Sequence, residues 1–393
     1  MVVLGGLTRL TKSGLSMVEW KPGTFLPPMN ERDWLSEFSK YQQYPEYKRV
    51  NNQMSLADFK FIYAMEFSHR LLGRTIGILF AGPLIYFAAK GRINRRLLPR
   101  LGLAFAAGGA QGAIGWWMVA SGLEESTLHN SVHTATVHVS PYRLATHLLS
   151  AFAIYALLFS TALRVHPSTL KHTLRSGGQR DIEALKAFFA HSGVSRTQTM
   201  AKVTTALVAL TVASGAFVAG NEAGLVYNEF PLMGGSLWPS DMRNPYLSPA
   251  WRNVFENSTA VQWHHRVLAI STATVAIATA VATMRLRRST GLQQLMAQSP
   301  HAAERYARMR HASHLLAMAV TVQVSLGIST LLLHVPVPLA TAHQAGSLAL
   351  LTAALYLLFT TRSPVARKHV QRMIEQWTKQ HGTATAAAAV KKF

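Results

Sequence analysis

The sequence predicts an all-α membrane protein with eight transmembrane helices, arranged as two four-helix bundles that form a parallel repeat. Its 393 residues are 49% apolar and only 14% charged, whereas about 25% of the residues in a typical soluble domain are charged. Seven apolar stretches each have close to the roughly 20 residues that a helix needs to cross a bilayer. Matching motifs recur in the two halves of the chain, which indicates a duplicated unit.

The apolar stretches account for seven of the eight helices. They are 61–89, 101–122, 144–163, 203–220, 260–284, 312–335 and 338–361. The second stretch has no charged residue, and so few residues separate the last two that they form a tight hairpin. Small residues are frequent in these stretches, and they allow transmembrane helices to approach closely.

The charges in the loops predict the orientation of the helices. Segments 90–100, 164–202 and 285–310 carry five, seven and six basic residues against zero, two and one acidic residues. Segment 123–141 has no Lys or Arg, and segment 221–259 has four acidic and two basic residues. The basic loops therefore face the matrix or cytoplasm. This distribution explains the net charge of +22 without nucleic-acid binding, and we expect no nucleic-acid partner.

The predicted organisation has four parts, in which each bundle is one half of the chain. In chain order they are an amino-terminal half (1–163) with a long outer loop (12–60), a basic matrix-side linker (164–202), a carboxy-terminal half (203–361) and a basic tail (362–393). Within the outer loop we expect short helices, such as Glu31–Tyr41. The last residues of the tail are predicted to be disordered.

Four histidines mark the internal repeat. His69 and His147 are 78 residues apart, and so are His265 and His343. The local motifs match as well, since EFSHR resembles QWHHR and LATH resembles LATAH. GGAQGAIGWW aligns with AVTVQVSLGIST through two further pairs, which are Gln111 with Gln323 and Gly115 with Gly327.

The repeat also predicts a helix at the amino terminus. Gly5 aligns with Gly215, which follows an apolar helix, but only residues 1–4 precede Gly5. We therefore expect that most of the first transmembrane helix is missing from this chain and that the complete protein has eight.

The four matched histidines are candidate metal ligands. Each lies near the start of a helix that enters from the acidic side, so all four lie at a similar depth. Two such histidines on different helices of a bundle can bind one haem iron from opposite sides. A single histidine in a membrane is often a hydrogen-bonding core residue, but packing does not account for four at duplicated positions. His264 is a weaker candidate, because the repeat aligns its neighbour His265 with His69.

Glu66 makes the two halves different. It precedes His69 by three residues on the same helix face, and its counterpart Gln262 is neutral. A carboxylate at the membrane boundary is costly unless it is paired or used. Arg70 or Arg74 could pair with it structurally, and the functional interpretation is that the first half is the reactive one.

An arginine follows the ligand in each half. Arg70 follows His69 and Arg266 follows His265. A guanidinium pairs bidentately with a carboxylate, so these residues are candidates to hold haem propionates. The alternative is that both arginines extend to the membrane interface.

The chain has no cysteine, which excludes disulfides, thiolate-ligated clusters and a cysteine nucleophile. It also has no P-loop, dinucleotide fingerprint or HExxH motif. Several motifs together resemble the haem A synthase family, particularly its mitochondrial, cysteine-free class. They include GGLTRLTKSGLSMVEWKP, PPMN, DFKFIYAMEFSHRLLGR, QGAIGWWMVASGL, YRLATHL, SGAFVAGNEAGLVYNEFPLMG and HQAGSLALLT. The resemblance extends from Gly5 to about Thr361.

The resemblance implies an oxidoreductase that converts haem O to haem A for cytochrome oxidase, by successive hydroxylation of a porphyrin methyl to a formyl group. It implies that His265 and His343 bind haem b, that His69 and His147 bind the substrate haem O, and that Glu66 is the essential carboxylate. It also implies a mitochondrial inner-membrane location, with the histidines toward the intermembrane space.

The implied electron partner is of the ferredoxin type, and we also expect haem O synthase, membrane lipids and a second copy of the chain as partners. Some bacterial members have a cysteine pair that this chain lacks, so no role for that pair carries over. Two other functions compete with this one. A dihaem electron-transfer cytochrome of the b type would need no reactive carboxylate, and a transporter with parallel repeats would need no metal.

Overall fold

The computed structural model describes residues 1–124, 137–165 and 179–363. Within these ranges the secondary structure is helical and includes no β-strand. The α-helices are α1 (Val2–Leu10), α2 (Glu31–Tyr41), α3 (Pro45–Arg49), α4 (Leu56–Ala89), α5 (Leu98–Leu123), α6 (Pro141–Val165), α7 (Gln179–Ala190), α8 (Ser192–Gly220), α9 (Asn253–Glu256), α10 (Ser258–Arg285), α11 (Thr290–Gln298), α12 (Pro300–Leu332) and α13 (Val337–Thr360). The predicted disordered tail lies outside the described residues.

Six of these helices, α4, α6, α8, α10, α12 and α13, are long and apolar enough to cross a membrane. The protein is therefore a multi-pass membrane protein. A helix lies on each of the seven predicted stretches, and α5 covers the stretch without charges. Two helices end short of the prediction, α12 at Leu332 instead of 335 and α13 at Thr360 instead of 361. The predicted hairpin is also present, since α12 and α13 are separated by four residues that include His334 and Val335 with φ of 59° and 58°.

Local sequence signals fix the helix starts that matter for the site. Ser55 caps α4, and the Ser55 hydroxyl and the Asp58 carboxylate each accept a hydrogen bond from the other residue's backbone N–H. Asn30 caps α2 by accepting from the Asp33 backbone N–H at 2.9 Å. The predicted helix Glu31–Tyr41 is thus confirmed with the same bounds.

The chain divides into two compact units. The first consists of Met1–Leu158, Leu210–Ile270 and Val322–Leu348, and it contains all four matched histidines. In this unit, α4 packs against α1, α2 and α5. An aromatic cluster fixes the outer loop to α4, with Tyr41, Phe59 and Tyr63 buried at its centre.

The described part of the second unit has its own apolar core. This unit comprises Phe159–Ala209, Ser271–Thr321 and Ala349–Phe393. In it α7 packs against α11, and the buried residues include Leu185, Phe188, Leu292 and Met309. Parts of the basic segments 164–202 and 285–310 are thus helical, although their charge content predicted loops.

Candidate histidine sites

The first unit brings the four matched histidines together in pairs. His69 lies on α4 and His147 on α6, and the two imidazoles are close enough to interact electrostatically. His265 on α10 and His343 on α13 interact in the same way. The structure therefore pairs the same residues that the 78-residue spacing pairs.

Each of the four imidazoles lies against a glycine of another helix. A Cβ atom added to any of these glycines would lie 2.8 to 3.0 Å from the imidazole Cε1, which is too close for a real contact. The pairs are Gly5 with His69, Gly115 with His147, Gly215 with His265 and Gly327 with His343. The glycines therefore allow each ring to pack flush against a helix backbone, and they restrict how the ring can turn.

Hydrogen bonds to Nδ1 hold three of the four rings. The Gln111 amide nitrogen lies 3.1 Å from His147 Nδ1 and also donates to the His147 carbonyl at 2.7 Å. Gln323 holds His343 through the same two contacts, at 3.1 and 3.0 Å. A different residue holds His265, because Ser214 Oγ lies 2.8 Å from its Nδ1.

His69 is the exception among the four. Its Nδ1 is buried and has no hydrogen-bond partner among the described residues. The residue that precedes the glycine explains the difference between the two halves. Ser214 precedes Gly215, whereas Leu4 precedes Gly5, and a leucine side chain has no group that can form this bond.

The residues present fit a haem between each pair of histidines. Two imidazoles from different helices are the donor set for a six-coordinate haem iron, and the glycines orient them. Among the described residues, no group of three or more His, Cys, Asp or Glu side chains could hold a metal ion. A two-histidine site is therefore the arrangement that the described ligands allow.

Glu66 is buried, with 3% of its surface exposed. One carboxylate oxygen accepts two hydrogen bonds from the Arg70 guanidinium, at 2.6 and 3.1 Å. The other accepts from the Ser16 hydroxyl at 2.7 Å and from the Met17 backbone N–H at 2.8 Å. The carboxylate thus joins α4 to the start of the outer loop, and the predicted pairing with Arg70 is present.

Gln262 occupies the equivalent place with different partners. Its amide oxygen accepts from Arg266 at 2.8 Å, as Glu66 does from Arg70. Its amide nitrogen donates to the Ala223 carbonyl at 2.6 Å. The outer segment of the second half offers a carbonyl where the first half offers donors, so a neutral amide fits there and a carboxylate does not.

Arg70 and Arg266 also occupy matching environments. Besides Glu66, Arg70 donates to the carbonyls of Met17 at 2.9 Å and Glu19 at 3.1 Å. Arg266 donates to the carbonyl of Tyr227 at 3.1 Å, and further to those of Pro231 and Leu232. Each guanidinium therefore fixes the polypeptide that follows α1 or α8 against its histidine helix.

Glu46 is a buried carboxylate outside the membrane-spanning helices. Burial raises the pKa of Glu46 to about 7, although a hydrogen bond from the Tyr41 hydroxyl opposes the shift. It lines a polar cleft together with Arg9, Lys12 and Glu222, and none of the four matched histidines lines that cleft. Composition and spacing gave no reason to single out this residue.

The sequence pattern contained the signal for some residues whose role was not predicted. Gln111, Gln323 and the four glycines stand at repeated positions, but their contact with the histidines becomes apparent only in three dimensions. Ser214 and Leu4 carried no signal, because they differ between the halves. His264 is only half buried and its Nδ1 has no partner among the described residues, whereas the Nδ1 of its neighbour His265 is held by Ser214.

Paired histidines on long apolar helices define a class of multi-pass membrane proteins that can hold haem between helices. The model of one family, the COX15-CtaA cytochrome oxidase assembly proteins, matches residues 1–355. The chain belongs to this family.

Proteins of known function agree with this membership. Haem A synthase COX15 of Arabidopsis thaliana is 45% identical over 365 residues, which cover 93% of this chain and 72% of the relative. Haem A synthase COX15 of Homo sapiens is 44% identical over 91% of this chain and 78% of the relative. A bacterial relative, haem A synthase of Rhodospirillum centenum, is 42% identical over 93% of this chain and 85% of its own length.

Proposed function

We propose that the protein is an oxidoreductase that converts haem O to haem A, the product that cytochrome oxidase requires. The observation that carries the proposal is the pair of duplicated histidine sites, only one of which has a buried carboxylate three residues before a ligand. Relatives at 42 to 45% identity that are haem A synthases support it. The chemistry is successive hydroxylation of a porphyrin methyl to a formyl group.

The two halves have separate tasks in this proposal. His69 and His147 hold the substrate haem O, and His265 and His343 hold a resident haem b that supplies electron transfer. The glycine contacts support a haem site in each half, because each half presents two oriented imidazoles. We further propose eight transmembrane helices, arranged as two repeated four-helix bundles.

Glu66 is the proposed catalytic carboxylate. It shares a helix face with His69, and Arg70, Ser16 and Met17 hold it in one orientation. A carboxylate held in this way can stabilise positive charge or accept a proton beside the porphyrin edge without reorganising. Arg70 and Arg266 are proposed to contact propionates with the donor capacity that their carbonyl contacts leave, since a guanidinium has five N–H donors.

The proposed location is the mitochondrial inner membrane, with the histidines toward the intermembrane space. The charge difference between the loops supports this orientation. We propose a ferredoxin-type electron partner at the basic side, because acidic proteins associate with basic surfaces through complementary charge. Haem O synthase and a second copy of this chain are further proposed partners, and membrane lipids surround the apolar helices.

The test measures the haem content of the purified full-length protein after expression with a haem O supply. We expect haem b together with haem O or haem A in the wild type. His265→Ala and His343→Ala should lose haem b, while Glu66→Ala should keep haem b and lose haem A. Gln262→Ala, at the matched position of the other half, is the control and should retain haem A.

The competing function is a dihaem electron-transfer cytochrome of the b type. It predicts haem b at both sites, with no change when haem O is supplied and no formyl haem in any extract. That result would contradict haem A synthesis while leaving the two histidine sites in place.

A further inference from the structure

We infer that His69 is a dissociable ligand of the haem in the first half, and that His147 is the ligand that remains bound. The inference rests on the proposed function only in requiring a haem between these two residues. It assigns different roles to two histidines that the sequence treats as equivalent.

A histidine ligand is strengthened by a hydrogen bond from the ring nitrogen that does not bind the metal. A histidine that binds a metal through one ring nitrogen usually donates the other N–H to a fixed partner, which orients the ring and raises its basicity. The loss of such a partner typically weakens a metal site by about 10- to 100-fold. His69 lacks a partner among the described residues, and its Nδ1 is too buried to bond to water.

His147 is the most firmly held of the four histidines. The Gln111 amide nitrogen contacts both its Nδ1 and its carbonyl, and the Ser150 hydroxyl lies 2.5 Å from the Gln111 amide oxygen. A ring that binds iron through Nε2 carries its proton on Nδ1, so the amide then turns to accept that proton with its oxygen while its nitrogen donates to Ser150 Oγ. In the second half the position equivalent to Ser150 is Gly346, and the Gln323 amide oxygen has no partner among the described residues.

The two halves therefore differ in how evenly they hold their ligands. His265 and His343 each have one Nδ1 contact, so neither is favoured to leave. In the first half one ligand is held by a relay of two side chains and the other by packing against Gly5 alone. An iron held in this way opens on the His69 side, where a small exogenous ligand can bind.

Glu66 places a fixed carboxylate on the side of the iron from which His69 dissociates. It lies one helical turn before His69, and four hydrogen bonds fix its carboxylate. The outer loop and Glu66 are therefore not expected to move when His69 leaves the iron. This separation of a mobile ligand from a fixed carboxylate is absent in the second half, which has Gln262.

The experiment measures carbon monoxide binding to the chemically reduced, haem-loaded full-length protein by absorbance. We expect the wild type to bind carbon monoxide at one haem, that of the first half. Leu4→Ser gives His69 the partner that Ser214 gives His265, and it should weaken carbon monoxide binding by about 10-fold or more. Leu4→Ala is the matched control, because it removes side-chain volume without adding a hydrogen-bonding group, and its affinity should stay near that of the wild type.

Three further variants make the result independent of how well Leu4→Ser folds. His69→Ala should keep the haem of the first half, with the five-coordinate spectrum that His147 alone would give, whereas His147→Ala should lose that haem. Ser214→Ala should make the haem of the second half reactive to carbon monoxide.

The inference is overturned if Leu4→Ser and Leu4→Ala bind carbon monoxide equally well, or if the haem is lost in His69→Ala and kept in His147→Ala. Failure of the proposed function gives a different result, since the first half would then contain no haem O or haem A in any variant.

Discussion

The two halves of the molecule have the same framework and differ at a few polar positions. In each half, glycines orient two histidines, and an arginine after the first ligand binds carbonyls of the outer polypeptide. The differences are Glu66 in place of Gln262, Leu4 in place of Ser214 and Ser150 in place of Gly346. In the proposed function, the common framework holds a haem in each half, and a few substitutions decide which site is reactive.

The comparison also shows that Glu66 has a structural cause beside its proposed role. The outer segment of the first half offers the Met17 N–H, which requires an acceptor, and that of the second half offers the Ala223 carbonyl, which requires a donor. The backbone of each half therefore selects its own side chain. The charge of Glu66 therefore matches its local hydrogen-bond partners as well as its proposed catalytic role.

The largest effects are expected when a glycine behind a ring is enlarged. Gly115→Val should displace His147 and remove the haem of the first half only, because a Cβ there would lie 2.9 Å from the ring. Gly327→Val should remove the haem of the second half only, since the corresponding distance is 2.8 Å. Haem content per chain, measured in detergent-solubilised protein, gives the result.

Gly112 provides the control for these variants. It lies on the same helix as Gly115, and an added Cβ there meets nothing within 4 Å. Gly112→Val should retain both haems. Loss of both haems from either ring-side variant would show that the two sites do not form independently.

The positions of these glycines illustrate how far the sequence could be read. The repeat aligned Gly5 with Gly215 and Gly115 with Gly327, and the spacing paired the histidines as the structure pairs them. The apolar stretches predicted the long helices, because a helix needs roughly 20 apolar residues to cross a bilayer. The Asn30 cap and an acidic first turn similarly mark the helix Glu31–Tyr41.

Other features depend on contacts between distant residues and left no local pattern. Residues 12–29 have no periodicity, so nothing predicted that Met17 and Glu19 would present carbonyls to Arg70. The buried core of α7 and α11 lies within segments whose basic residues suggested loops. Nothing in the sequence distinguishes Ser214, and its role follows from its contact with the His265 ring, 51 residues away.

An exchange of Glu66 and Gln262 tests whether backbone partners select them. Glu66→Gln places an amide nitrogen against either Arg70 or the Met17 N–H, and Gln262→Glu places a carboxylate oxygen against the Ala223 carbonyl. Each change leaves buried groups unpaired and should lower the free energy of unfolding by about 1–3 kcal/mol. Thermal unfolding in detergent measures the effect.

The double exchange sharpens this prediction. Because the partners of each side chain belong to its own half and stay in place when the two are exchanged, the loss of stability in Glu66→Gln with Gln262→Glu should be about the sum of the losses in the two single variants. Recovery of wild-type stability in the double variant would show instead that the two side chains interact, and it would rule out local selection.

Two acidic residues of the outer segments should give opposite pH dependence. Burial raises the pKa of Glu46 to about 7 from an ordinary 4.5. For Glu256, burial also acts to raise the pKa, but hydrogen bonds from Arg252 and Tyr142 outweigh it and lower the pKa. A raised pKa means that the folded state binds the proton more tightly, so the Glu46 contribution is full below pH 4.5 and is lost as pH rises through 7.

Substitution of each residue isolates its contribution. Glu46→Gln should remove a loss of stability between pH 4.5 and 7 that amounts to at most about 3 kcal/mol. Glu256→Gln should instead remove stability that is present above pH 4.5 and disappears as pH falls through the lowered pKa. Unfolding measured at a series of pH values gives both slopes, and parallel slopes for the two variants would contradict the assignment.

The smallest effect concerns how each outer segment is held. In the first half, Lys21 and Lys40 pair with Glu19 and Glu37 at 2.8 to 2.9 Å, with side chains that are 14 to 44% exposed. In the second half, Asn253 and Asn257 bond mainly to backbone groups, which carry no net charge.

Exposed ion pairs contribute about 0–1 kcal/mol and are screened by salt. An increase from low to high salt should therefore speed amide hydrogen exchange in residues 31–41 by a few-fold. Residues 244–257 should change less, because they contain one ion pair, Arg252 with Glu256, beside the neutral asparagine contacts. Lys40→Ala should produce part of the same change in the first segment at low salt and reduce its salt dependence, because Lys40 bridges both carboxylates and Lys21 still pairs with them. Equal salt sensitivity of the two segments would show that the aromatic cluster, and not the ion pairs, limits the opening of the first.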